Sequence, residues 1–69
     1  MTERELSELE IELERVLTRQ QHEVAVLCWL KGRTHSYAGA VLGIAEESVR
    51  SRLRRARDRM RRHYQEADR

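Results

Sequence analysis

Apolar positions along the chain fall into four groups, and each repeats with the period of a helix. Between residues 3 and 17 (ERELSELEIELERVL), Leu6, Leu9, Leu13 and Val16 recur at alternating spacings of three and four, with Leu17 beside them. That spacing draws one stripe along a helix. Glutamates alternate with apolar residues in the middle of this stretch and mimic a strand, but its length and lack of aromatics favour the helix. Residues 20–31 (QQHEVAVLCWLK) carry two apolar faces, Val24 with Leu27 and Cys28, and Val26 with Trp29 and Leu30, closed by Gly32. A helix that is apolar nearly all round requires burial on two sides. A third helix ends at Val41-Leu42-Gly43. A fourth starts near Ala45-Glu46, where Val49, Leu53, Ala56 and Met60 line one narrow stripe at i, i+4, i+7 and i+11. The tail HYQEADR is expected to extend this helix, with Tyr64 packing near Met60, and then to fray.

The pattern predicts an all-α fold, a small bundle of four to five helices with a C-terminal helix-turn-helix. One domain spans residues 1–69. Residues 1–31 form acidic and apolar N-terminal helices, 32–62 the helix-turn-helix and 63–69 a tail. The turn is the most specific feature. Gly43 follows an apolar pair and precedes Ile44, so it suits a left-handed helix cap, which glycine adopts without a Cβ penalty. Gly39, four residues earlier, is small enough for two helices to cross there. Its cost inside a helix is about 1 kcal/mol against alanine.

Charge then divides the chain. Net charge is only +2, yet residues 1–16 hold six glutamates against Arg4 and Arg15, while eight arginines lie between residues 50 and 62 against one acid, Asp58. Charges of one sign at helical spacing repel one another, so pairing within the helix does not account for the run. Phosphates would neutralise it. The long last helix therefore reads as one placed in the major groove of DNA. With 69 residues the core alone is marginal. No apolar run spans a membrane, and a single cysteine, Cys28, forms no internal disulfide, which fits a reducing cytoplasm. His22, His35, His63 and Cys28 lack zinc spacing. No nucleophile–base pair or phosphate-cradling glycine loop occurs, so no enzyme, metal or cofactor is expected.

The run Leu17-Thr-Arg-Gln-Gln-His-Glu23-Val24, then Gly32, Leu42-Gly43-Ile44 and SVRSRLRRAR (48–57) resembles region 4 of the sigma-70 family, nearest its extracytoplasmic-function branch, over about Leu17 to Arg62. The SVRSRLRRAR segment is the most specific part. The resemblance implies a helix-turn-helix that reads the −35 promoter element and touches the flap of RNA polymerase. Carried over by residue, it puts Glu46, Glu47 and Ser51 against bases and Ser48, Arg50 and Arg54 against phosphates. Thr34 stands at the start of the first helix of the motif, also near a phosphate. Arg55 and Arg57 complete the expected DNA-binding set, with Arg54 or Arg55 able to grip guanine or phosphate. The setting is the winged-helix-like class of DNA-binding folds.

The chain departs from that family in several places. His35-Ser36-Tyr37-Ala38-Gly39 stands where Tyr-Glu-Glu-Ile-Ala is usual, so a core isoleucine becomes Ala38. Ala45 replaces the usual Ser or Thr cap, a loss of roughly 1 kcal/mol, partly offset by Glu46 and Glu47 at the positive end of the helix dipole. Two prolines near Thr18-Arg19 are missing. The chain as given leaves no room for the sigma region that melts the −10 element, so the expectation is a freestanding domain. A fragment of a longer sigma factor is the competing view, against which Met1 and the acidic leader weigh.

The expected partner is double-stranded DNA, bound by a homodimer through Leu6, Leu9, Leu13, Val16, Val26 and Trp29, with tryptophan the natural anchor of an interface. Two alternatives cover the same residues without a dimer. In one, the N-terminal helix folds over the second helix within the chain. In the other, the domain is a protein-interaction module that mimics region 4 and binds the polymerase flap or a sigma or anti-sigma protein. A regulator of the LuxR/GerE type fits Leu17-Thr18 and Glu23-Val24 as well, but the SRLRRAR run fits it less.

Overall fold

A computed structural model describes residues 2–67. Helix α1 runs Glu3–Val16 and α2 Arg19–Ala25. A π-helical turn at Val26–Leu30 continues α2 without a break, then come α3 at His35–Leu42 and α4 at Glu46–Ala67. The fold is all-α, and among the described residues there is no strand that could form a wing.

Among the described residues threonine starts three of the four α-helices. Thr2 and Thr18 each close a capping box, with Glu5 and Gln21 respectively, so two otherwise unpaired backbone donors are satisfied at each start. The Thr34 hydroxyl accepts from the Tyr37 N–H at 3.0 Å. Helix α4 begins differently. The Ala45 carbonyl accepts from the N–H groups of Ser48 and Val49, but its side chain offers no acceptor.

The core has two clusters that share α2 and α4. Val24, Ala38, Val49 and Leu53 form the helix-turn-helix cluster, with Leu27, Cys28, Leu42 and Ile44 packed against it. Leu13, Leu17, Ala25, Ala56 and Met60 form the other, with Leu9, Val16 and Leu30 against it. Val24, Ala25, Ala38, Val49 and Ala56 are all 0% exposed. Thus the α4 stripe predicted from spacing is the inner face of the helix.

The π turn was not foreseen, and the two clusters explain it. On an α-helix Leu30 would stand ~140° round from Ala25, at ~100° per residue. The Lys31 N–H instead reaches back five residues to the Val26 carbonyl at 3.0 Å. This wider turn rotates less per residue and brings Leu30 back toward the face of Ala25. Both then pack in the α1 cluster, while Leu27 and Cys28 stay with α3 and α4. Both apolar faces of this segment are thus partly covered within the chain, while Trp29 stays 36% exposed.

Three of the four residues of the α1 stripe pack within the chain itself. Leu13 is 1% exposed, and Leu9 and Val16 cover the same cluster; Leu6, at 36%, remains open. Charge favours this arrangement. Glutamates flank the stripe, so two copies of α1 would set like charges together, whereas α4 supplies cations. The Arg59 guanidinium donates to the Val16 carbonyl, an otherwise unpaired group at the end of α1. Glu12 bonds His63 at 2.8 Å and accepts from the Tyr64 hydroxyl at 3.1 Å. Tyr64, one turn beyond Met60, is 45% exposed, and its hydroxyl is held by Glu12 of α1. The tail is helical to Ala67, and the fraying expected at its last two residues lies outside the described residues.

Candidate nucleic-acid interface

The turn between α3 and α4 fixes how α4 is presented. Gly43 adopts φ 69°, and the N–H groups of Gly43 and Ile44 both return to the Gly39 carbonyl, the latter at 2.9 Å. This double closure ends α3 and sends Ile44 toward the core. Gly39 is buried where the chain crosses itself. A Cβ there would stand 2.8 Å from the Ile44 carbonyl oxygen, a backbone atom that cannot swing aside. Glycine at 39 is thus set by the close approach of the turn.

Helix α4 is 22 residues long, about 33 Å. With Val49, Leu53, Ala56 and Met60 facing inward, its arginines sort by helical period into two rows. Arg50, Arg54, Arg57 and Arg61 follow one edge, and Arg52, Arg55, Arg59 and Arg62 the other. Between them runs an outward ridge of Glu47, Ser51, Asp58 and Gln65. The first row borders a cleft of about 310 Å³ lined by His35, Arg50, Leu53, Arg54 and Arg57, at the start of α3. The second borders one of about 190 Å³ lined by Gln21, Arg55, Asp58, Arg59 and Arg62, at the start of α2.

The residues expected at DNA lie in different situations. Glu47, Arg54, Arg55 and Arg57 are exposed, and Ser48 and Ser51 are half-buried. Arg50 is occupied locally, with one guanidinium nitrogen 2.9 Å from Glu46 and the other 3.4 Å from Glu47. That bridge joins the first turn of α4, which has no side-chain cap, to its second. Thr34 caps α3 and sits beside the first cleft's His35. Sequence reasoning weighed His35 only as a zinc ligand and left Gln21 and Arg62 out of the DNA-binding set. For His35 and Arg62 the signal was present, in the residue after a cap and in an arginine two turns beyond Arg55. For Gln21 it was not, because the start of α2 meets α4 only in three dimensions.

Of the expected partner residues beyond the α1 stripe, Val26 is half-buried and Trp29 is 36% exposed. Val26, Leu27, Val41 and Leu42, with His22 and Glu23, line an open apolar depression of about 300 Å³. Val41 is 55% exposed there. Among the described residues no three His, Cys, Asp or Glu side chains gather as a metal site. Partial burial pushes the Cys28 thiol up, away from the reactive thiolate. Among the described residues no helix is long and apolar enough to cross a membrane.

Fold and surface together define a helix-turn-helix domain whose last helix is edged on both sides by arginine. The family described as Sigma-70, region 4 matches residues 15–62 of the 69. The chain belongs to that family, whose helix-turn-helix domains bind DNA or RNA polymerase and are regulatory, not a known class of enzyme. Searches of the curated proteins and of the solved structures gave no match.

Proposed function

We propose that this domain binds double-stranded DNA sequence-specifically and regulates transcription in the bacterial cytoplasm, as a region 4 of the extracytoplasmic-function kind. Helix α4 enters the major groove N-terminus first. The observation that carries this reading is the outer surface of α4, an uncovered polar ridge between two rows of arginine, on a helix whose opposite face is fully buried. Glu47 and Ser51 sit on the ridge near the leading end. A carboxylate there accepts from a cytosine amino group, and serine pairs with either purine or pyrimidine edges. Ser48, Arg54, Arg55 and Arg57 grip the backbone or guanine, and the Thr34 hydroxyl can donate to a phosphate. Glu46 joins the base-facing set once Arg50 turns to a phosphate. No cofactor or metal takes part.

A second reading is supported by the apolar depression around Val26 and Val41, a docking surface for a protein such as the RNA polymerase flap or a sigma or anti-sigma partner. The homodimer keeps a narrowed form, with Val26 and Trp29 as its contact and Leu6 at the far end of α1.

The test is selection from a pool of random duplexes at near-physiological salt, because eight arginines hold any DNA when salt is low. Enrichment of a defined sequence is the expected result. Half-sites in an inverted repeat one turn (~34 Å) apart mark the homodimer, and a single half-site marks one domain per site. A pool that stays random overturns the DNA-reading function in favour of the protein-docking one.

A further inference from the structure

Helix α3 carries no Asp, Glu, Lys or Arg along HSYAGAVL, yet only Ala38 and Gly39 of it are buried. Its outer face stands open. Tyr37 is 47% and Val41 55% exposed, and Ala40 beside them is exposed too. Tyr37 and Val41, four residues apart, share one side of the helix. That side runs on into the depression lined by Val26, Leu27 and Leu42. A continuous exposed apolar surface of this kind marks an interaction site. Tyr37, Ala40 and Val41 line neither arginine cleft. The two ends of the face differ in charge. At the start of α3 the Arg33 guanidinium lies 5.2 Å from the centre of the Tyr37 ring. At its end Glu23 borders the depression beside Val41 and Leu42. Glu23 is also 3.4 Å from the exposed Arg19, a pair that solvent screens.

We propose that the outer face of α3 is the contact between two copies of this chain, packed antiparallel about a two-fold axis near Ala40. This rests on the homodimer named above and moves its contact from Trp29 to α3, keeping Val26. An apolar face with a cation at one end and an acid at the other is complementary to itself once reversed. The axis sets Arg33 of each copy against Glu23 of the other, so a second copy satisfies both ends at once. The methyl side chain of Ala40 lets the two helices approach closely, because the distance between helix axes follows the side chains at the contact. Val41 of each copy then enters the depression of the other. Helix α4 stays uncovered in both. A surface drawn from one eight-residue helix and the depression beside it is small. The dimer is therefore weak and reversible, with a Kd between about 1 μM and 1 mM.

The experiment is sedimentation velocity of the full chain from about 1 μM to 1 mM, with far-UV circular dichroism as the check on folding. Five variants accompany it: Tyr37→Ser/Val41→Ser, Trp29→Ala, Arg33→Glu, Glu23→Arg and Arg33→Glu/Glu23→Arg. The unaltered chain should pass from monomer to dimer within that range. Tyr37→Ser/Val41→Ser should raise Kd at least ~30-fold and Trp29→Ala less than ~3-fold. Each single charge reversal should weaken association about 10-fold, because like charges then face each other at both ends. The double reversal should restore it, a recovery that misfolding cannot imitate. A double reversal no better than the singles overturns the antiparallel contact. A dimer that survives Tyr37→Ser/Val41→Ser, or is lost only in Trp29→Ala, overturns the α3 contact and leaves the homodimer standing. A monomer at every concentration overturns both, and selection from random duplexes then decides the DNA-reading function separately.

Discussion

The two clusters of the core meet at α2 and α4 but answer to different needs. The helix-turn-helix cluster, around Val24, Ala38, Val49 and Leu53, fixes the angle between α3 and α4. The α1 cluster, around Leu13, Ala25, Ala56 and Met60, adds no residue to the arginine-edged surface and instead closes the side of α2 and α4 that a three-helix motif would leave open. The first carries geometry, and the second carries stability. In a 69-residue chain neither is dispensable, because so small a domain buries too little to lose a quarter of its helices. The difference is that damage to the first should reach DNA binding directly, and damage to the second only through the folded fraction.

Paired truncations break the comparison most severely. Leu53, 4% exposed, and Leu13, 1% exposed, are buried leucines in the two clusters. Each Leu→Ala change should cost about 2–5 kcal/mol in urea or thermal unfolding. At a temperature where both variants remain folded, Leu13→Ala should bind DNA as the unaltered chain does and Leu53→Ala should bind more weakly. Equal weakening would mean that the clusters are not separate in function.

Gly39→Ala is a narrower cut. Its Cβ would meet the Ile44 carbonyl at 2.8 Å, so the turn must shift, at about 1–3 kcal/mol in stability. Because the shift tilts α4 against α3, DNA affinity at a temperature that keeps the variant folded should fall as well, and a titration of the selected duplex reads it. Ala45→Ser works in the opposite direction. It supplies the missing cap and should stabilise α4 by about 0.5–1 kcal/mol, seen as a Tm higher by roughly 2–8 °C.

The smallest effect lies at the seam between α1 and the end of α4. Burial first, then the hydrogen bond and charge of Glu12, push the Tyr64 phenol above its ordinary value. A raised pKa means that the contribution of this contact is fully present below the unfolded value near 10 and is lost as pH rises through the folded one. Alkaline titration of unfolding should therefore show a slight loss above pH ~10 that Glu12→Gln reduces. The exposure of Tyr64 keeps the effect small.

Legibility in the sequence follows the same division. The stripe of Val49, Leu53, Ala56 and Met60, the Gly43 cap and the small residue at 39 are local patterns with one geometric solution, and the fold reproduces each. The α1 stripe was equally plain as a stripe, but what covered it was not, since apolar spacing does not say whether the partner is in the same chain. Glutamates flanking that stripe and the basic character of α4 held the answer, but only once taken together. The π turn was hidden because it arises from a conflict between two clusters over the facing of Leu30. In the candidate site the arginine run was visible, while the clefts beside it, with His35 and Gln21, depend on how α2 and α3 lie against α4.

The most direct measurement compares the base profile selected from random duplexes by the unaltered domain with the profile selected by Glu47→Ala. Glu47 is exposed on the ridge between the arginine rows, and the loss of one surface carboxylate leaves both core clusters intact. The account predicts that the preference at one position, a cytosine, disappears while the others persist, because the ridge reads bases and the rows hold backbone. Two identical profiles would contradict it and place the reading of sequence somewhere other than the ridge of α4.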